Sequence, residues 1–147
     1  MVKETLRLVL PAVVIVAGTG CAARIVLYNN SQSVIMVSRD SEAEAVSPRT
    51  SASFRYRSVS RDLTICRDGV LAQYIVYYPT DDPEAYTGGG LGRILNGGDI
   101  RVQMDEDGRI RIARHAEPFP ISPKAFQPQF YPLGPENRGA CALPASQ

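Results

Sequence analysis

Arg55, Arg57, Arg101, Arg109 and Arg111 each stand next to an apolar or aromatic residue in an alternating run. That spacing gives them chemical meaning, because side chains of a β-strand alternate between its two faces. Phe54 and Tyr56 take one side of their strand, and Arg55 and Arg57 take the other. Ile100, Val102 and Met104 alternate with Arg101 and Gln103, and Ile110 and Ile112 alternate with Arg109 and Arg111. If these strands are neighbours, the guanidinium groups form a patch able to grip phosphates or carboxylates through paired hydrogen bonds. The bland alternative is a solvated sheet face, partly neutralised by Asp105 and its neighbours.

Other clusters carry less chemistry. Gly88-Gly89-Gly90-Leu91-Gly92 lacks both the Lys-Ser or Lys-Thr of a phosphate loop and the third glycine of a dinucleotide fingerprint. It reads as a flexible loop. Asp105-Glu106-Asp107-Gly108 lacks the spaced ligands of a calcium loop and reads as a hairpin turn. Asp81, Asp82 and Glu84 sit beside Pro79 and Pro83 as a solvated loop. His115 is the only histidine, and no ligand spacing joins it to Cys66, Cys141 or acids. No cofactor, metal centre or catalytic set is expected. An enzyme would need a cleft that gathers His115 with acids or a thiol.

The elements that position the arginines read as strands. Residues 23–28 and 34–37 are β-branched and aromatic runs flanking turn chemistry at Asn29-Asn30-Ser31-Gln32. Residues 39–49 read as a polar loop, with room for one helical turn at residues 42–45. Residues 51–57 form a half-buried strand, Leu63 and Ile65 mark the next, and residues 70–78 form a long run placed centrally in its sheet. Residues 79–98 make a long connection, functional or mobile.

Residues directly opposite in a hairpin share a face. Met104 therefore faces the core beside Ile110 only if the loop between them has odd length. A three-residue loop Glu106-Asp107-Gly108, ending in glycine at the left-handed position, meets that condition. The same device at Arg67-Asp68-Gly69 would set Ile65 opposite Leu71. The result is an all-β fold: a single small antiparallel β-sandwich or partly open barrel of about seven strands over residues 21–115. Residues 116–147 hold most of the prolines and form a proline-rich strap or tail, in which strand and helix are both disfavoured. Phe119, Phe126, Phe130 and Tyr131 favour a strap laid across the domain.

At the N-terminus, Lys3 and Arg7 precede an apolar stretch at residues 8–17, which is short for a membrane span and interrupted by Pro11. Gly18-Thr19-Gly20-Cys21 closes it. This pattern resembles the lipobox of bacterial lipoproteins, with Gly18 where that class prefers a branched aliphatic residue. The resemblance covers residues 1–21. It implies a signal peptide at residues 1–20, acylation of Cys21 and, with Ala22 following, the inner leaflet of the outer membrane, facing the periplasm. A plain secretory signal, an uncleaved anchor and a buried core segment are the competing readings. If Cys21 is lipidated, Cys66 and Cys141 remain, either as a disulfide in an oxidising compartment or as two free thiols.

With 16 basic and 15 acidic residues the net charge is +1, which gives no reason to expect nucleic acid as a partner. The expected function is a non-enzymatic envelope lipoprotein: a periplasm-facing binding or structural module, held by its lipid anchor and contacting an envelope protein or cell-wall component. The alternative is a periplasmic inhibitor or ligand-binding module that uses the 79–98 loop. Small lipoproteins that inhibit lysozyme are similar in size and location, although none of their motifs occurs here.

Overall fold

Alternating burial organises the chain into two facing sheets. The computed structural model describes residues 24–39, 42–55, 62–77, 79, 85–86 and 99–142. Cys21 with its leader, Tyr56, Arg57 and the glycine and acidic stretches of the 79–98 connection lie outside the described residues. The described strands are β1 (Arg24–Asn29), β2 (Ile35–Arg39), β3 (Glu42–Val46), β4 (Ser51–Arg55), β5 (Asp62–Arg67), β6 (Val70–Ile75), β7 (Ile100–Met104), β8 (Ile110–Ile112) and β9 (Asn137–Ala140).

They form a four-stranded sheet, ordered β4-β1-β7-β8, and a five-stranded sheet, ordered β3-β2-β5-β6-β9. Neither sheet closes on itself, so the architecture is a β-sandwich rather than a barrel. Ile25, Leu27, Phe54, Ile100, Val102, Met104, Ile110 and Ile112 of the first sheet face Ile35, Val37, Leu63, Ile65, Tyr74 and Val76 of the second. Each such side chain contributes about 1.5–3 kcal/mol on leaving water.

The strands depart from the sequence reading at definite places. Pairing is antiparallel except between β1 and β7, which run parallel with Leu27 beside Val102. Their connection passes through the other sheet, so no hairpin constrains their direction. Residues 42–46 are neither loop nor helical turn but β3, which pairs with β2 along its whole length. β6 lies between β5 and β9, one place from the centre.

The β7–β8 loop has the expected form: Met104 lies opposite Ile110, Asp105 N–H donates to the Arg109 carbonyl at 2.9 Å, and Gly108 has φ +79°. The β5–β6 loop does not. Arg67 pairs with Val70, so only Asp68 and Gly69 form the turn, with φ of 51° and 80°. Two central residues of positive φ make the tight turn whose twist matches a two-stranded ribbon. Ile65 is thus opposite Ala72, not Leu71. Leu71 goes to the outer face with Cys66, and Ala72, Tyr74 and Val76 go inward.

The C-terminal segment is a strap, and it also contains a strand where none was expected. It crosses the outer face of the first sheet, wraps the free edge of β8 and ends as β9 beside β6. Leu133 exchanges both backbone hydrogen bonds with Ile110, at 2.8 and 3.0 Å. The Gln127 side-chain amide clasps the backbone of Ile112, donating to its carbonyl at 3.1 Å and accepting its N–H at 2.9 Å. An open edge is thereby covered without a full partner strand. Ile121, Tyr131 and Leu133 are buried, while Phe126 and Phe130 are not. Residues 116–142 are therefore part of the packing of the sandwich.

Candidate functional site

The arginines do not form one patch. β1 and β7 separate β4 from β8, so Arg55 on β4 and Arg109 just before β8 lie at opposite edges of the first sheet. Arg101 and Arg111 are turned to the chain's own use. The Arg101 guanidinium donates to the carbonyls of Arg114, His115 and Glu117 and lies 4.6 Å from the centre of the Phe119 ring. That ring stacks on Tyr28 with centroids 4.9 Å apart. Arg111 Nε pairs with Asp105 at 2.8 Å, and its fork reaches the Ser122 carbonyl at 3.3 Å. Both arginines hold the strap against the sheet. Arg109 stays at the surface, 4.0 Å from Asp107. Arg57 lies outside the described residues.

Gln103 had the outward parity of a solvated residue, yet it is 1% exposed because the strap covers it. It donates to Asp105 Oδ1 at 2.6 Å and accepts the Ile121 N–H at 2.7 Å. No local signal in the sequence marks it, since only the return of the distant tail buries it. His115 is exposed, with its backbone N–H donating to the Ala85 carbonyl at 2.8 Å. Among the described residues no three of His, Cys, Asp and Glu gather as metal ligands.

Cys66 and Cys141 are joined, closing 75 residues of sequence separation with their Cα atoms 6.1 Å apart. The bond fastens β5 to the end of β9 on the outer face of the second sheet, and Cys141 N–H donates to the Gly69 carbonyl at 3.0 Å. Beneath the nearby hairpin tips lies a cavity of about 160 Å³, lined by Ile65, Arg67, Tyr74, Met104, Asp107 and Arg138 among others. Arg67 bridges the tips, donating to the carbonyls of Asp105 and Glu106 at 3.2 and 2.9 Å. Tyr74 closes the base with a 2.7 Å hydrogen bond to the Gly108 carbonyl. Burial pushes its phenol pKa up from 10.0; the nearby Arg67 and Arg138 pull it down, and Asp107 adds a small upward push. These groups are mutually engaged, so this end of the sandwich is a latch.

The other end carries an exposed apolar rim. Tyr77 follows β6, and Phe130 tilts against it with centroids 6.0 Å apart. The two rings border a groove of about 330 Å³, completed by Leu133, Gly134 and Glu136. The Tyr131 hydroxyl donates to the Tyr77 carbonyl at 2.8 Å and fixes the rim. Phe130 has φ +73° and occupies the third place of a turn closed by Tyr131 N–H to the Pro128 carbonyl at 3.0 Å. That position favours glycine or asparagine. A phenylalanine held there costs about 1–2 kcal/mol.

The fold and these contacts define a disulfide-closed β-sandwich with an integrated C-terminal strap. Compared with family models, curated proteins and solved structures, the chain gives no match.

Proposed function

We propose that this chain is an envelope lipoprotein: a non-enzymatic β-sandwich module tethered through an acylated Cys21 on the periplasmic side of the outer membrane, where it contacts an envelope protein or cell-wall component. The observation that carries the reading is the cysteine arithmetic. Of three cysteines, Cys66 and Cys141 pair with each other, which leaves Cys21 at the close of the apolar leader. A disulfide suits an oxidising compartment. Only Ala22 and Ala23 separate Cys21 from the first residue of β1, so the anchor and the folded module stand next to each other in the chain. Acyl chains contribute about 0.8 kcal/mol per buried CH₂, enough in a multiply acylated cysteine to hold the module without a spanning helix.

The test is the intact mass of the protein from the membrane fraction of a Gram-negative host, beside a Cys21→Ser variant. The expected result is a mature chain beginning at Cys21 with added acyl mass, absent in the variant. An unprocessed chain, or one cleaved elsewhere without lipid, would overturn the reading.

A further inference from the structure

We infer that the aromatic rim of Tyr77 and Phe130, at the same end of the sandwich as Arg24 and Arg55, is the face that rests on the lipid bilayer; this rests on the reading of Cys21 as the lipid anchor. Phe130 is 62% exposed and Tyr77 39%. Exposed aromatic rings with an apolar body suit the region between headgroups and acyl chains. Phe130 is held in a conformation made for glycine, yet its ring is not buried in the core. Turn geometry does not select a phenylalanine there, and the ring it meets, Tyr77, is itself exposed, so the pair presents apolar surface outward.

The strand registers place Tyr77 and Phe130 at the end where the chain enters the fold. Arg24 is opposite Arg55 and next to Ile25, which pairs with Ile100. The Arg39 guanidinium donates to the Arg55 carbonyl, tying the end of β2 to the same place. β2, β5 and β6 are in continuous register, and Asp62 pairs with Ile75, two residues before Tyr77. Tyr77 and its partner Phe130 therefore share an end of the sandwich with Arg24. The Asp68-Gly69 turn lies at the other end.

The tether decides the occupant. A fully extended chain advances at most about 3.6 Å per residue. Cys21 to Arg24 is three steps, so Arg24 stays within about 11 Å of the acylated cysteine. An anchor at the membrane surface leaves no stalk, and the Arg24 end must lie against the headgroups. Charge agrees with this. Arg24 and Arg55 are exposed and directly opposite across β1 and β4, and the Asp99 carboxylate, which accepts the Arg24 N–H at 3.0 Å, offsets one of these two positive charges. Lipid phosphates can take up the remaining charge in a form that arginine holds bidentately.

The chain contains no tryptophan, so Phe130→Trp introduces a single tryptophan reporter, read apart from the tyrosines by selective excitation. The full-length lipidated variant would be placed in vesicles of phosphatidylethanolamine with a minor share of phosphatidylglycerol, with and without acyl-chain brominated lipid. A Val70→Trp variant reports from the opposite end, where Val70 is 48% exposed. The expected result is blue-shifted, bromine-quenched emission from Phe130→Trp and water-like, unquenched emission from Val70→Trp. Water-like emission at both positions, quenching at both, or a blue shift at Phe130→Trp that requires an added protein would overturn the docking face. Intact mass of the same samples separates the two readings. Acylated Cys21 with an unquenched Phe130→Trp sinks the docking face alone, and an unacylated chain sinks the anchor and the docking face together.

Discussion

Asn29 uses every hydrogen-bonding capacity of its buried side chain. Its amide donates to the carbonyls of Ser33 and Val46, both at 2.9 Å, and its oxygen accepts from Ser31 N–H at 3.0 Å and Ser31 hydroxyl at 2.7 Å. The residue pins the crossing from β1 to β2 onto the end of β3. An Asn29→Leu substitution strands several buried groups and should destabilise by about 3 kcal/mol, read from urea midpoints at constant slope. Its identity looks like turn chemistry in the sequence; its burial comes from strands on both sides. Tyr74 makes a prediction with a definite sign. Burial raises its folded pKa above 10.0, so the folded chain keeps the phenol proton longer than the unfolded chain. Stability from this group is full below pH 10.0 and is lost as pH rises through the higher folded pKa. Tyr74→Phe should cost about 1 kcal/mol at neutral pH through the lost Gly108 bond and flatten the alkaline decline. Denaturant melts across alkaline pH, with tyrosinate absorbance as a second signal, would check both effects. An alkaline decline as steep in the variant would show that another group sets it.

At the level of elements, the two hairpins show what a local reading can and cannot resolve. Both contain Asp-Gly and both permit a two- or three-residue loop. In β7–β8, Met104 and Ile110 both need the core, and that parity selects the three-residue form. In β5–β6, the same three-residue form would set Ile65 opposite Leu71, but the structure takes the two-residue form and turns Leu71 to the outer face. Leu71 lies there opposite Gly139 of β9, next to Cys66 and its disulfide. Within the same sheet, Leu71 is half-buried against Gly139 and beside the disulfide, which makes an outward leucine acceptable. The same disulfide ties β9 to β5 through a closed loop of 75 residues of separation. On the chain-entropy model its loss costs about 4 kcal/mol. Cys66→Ser and Cys141→Ser should each lower the melting temperature, with β9 amides the first to gain hydrogen exchange. Equal exchange rates in β9 of the parent and the variants would contradict this role.

Over the whole molecule, the strap behaves as a structural element of the sandwich. It supplies β9, the partner of Cys66, the buried Ile121, Tyr131 and Leu133, and the cover of Gln103. Truncation after Ala116 should therefore give a chain without cooperative unfolding, measured by calorimetry and near-ultraviolet circular dichroism. A truncated chain that melts cooperatively near the parent temperature would show instead that the strap is dispensable. This outcome reverses the expectation that follows from proline content alone. Proline forbids regular strands across most of the segment, but residues 136–140 contain none and are free to pair.

The sequence by itself determined the all-β class, the inward and outward sets of β4, β5, β7 and β8, and the glycine-closed β7–β8 loop. Those properties depend on side chains alternating over a few residues, and the alternation is written locally. Tertiary structure decided the parallel seating of β7 on β1, the tight β5–β6 turn, the strand character of residues 42–46 and 137–140, and the fate of the arginines. Strand partners are joined by backbone groups that are the same in every residue, so a strand carries little mark of which distant edge it will meet. Arg101 and Arg111 look like a solvent face until the chain returns from residues 117–122 and offers them carbonyls and an aromatic ring. Whether a polar side chain is a free surface group or an internal clasp depends on what covers it, and here the cover lies outside its own strand.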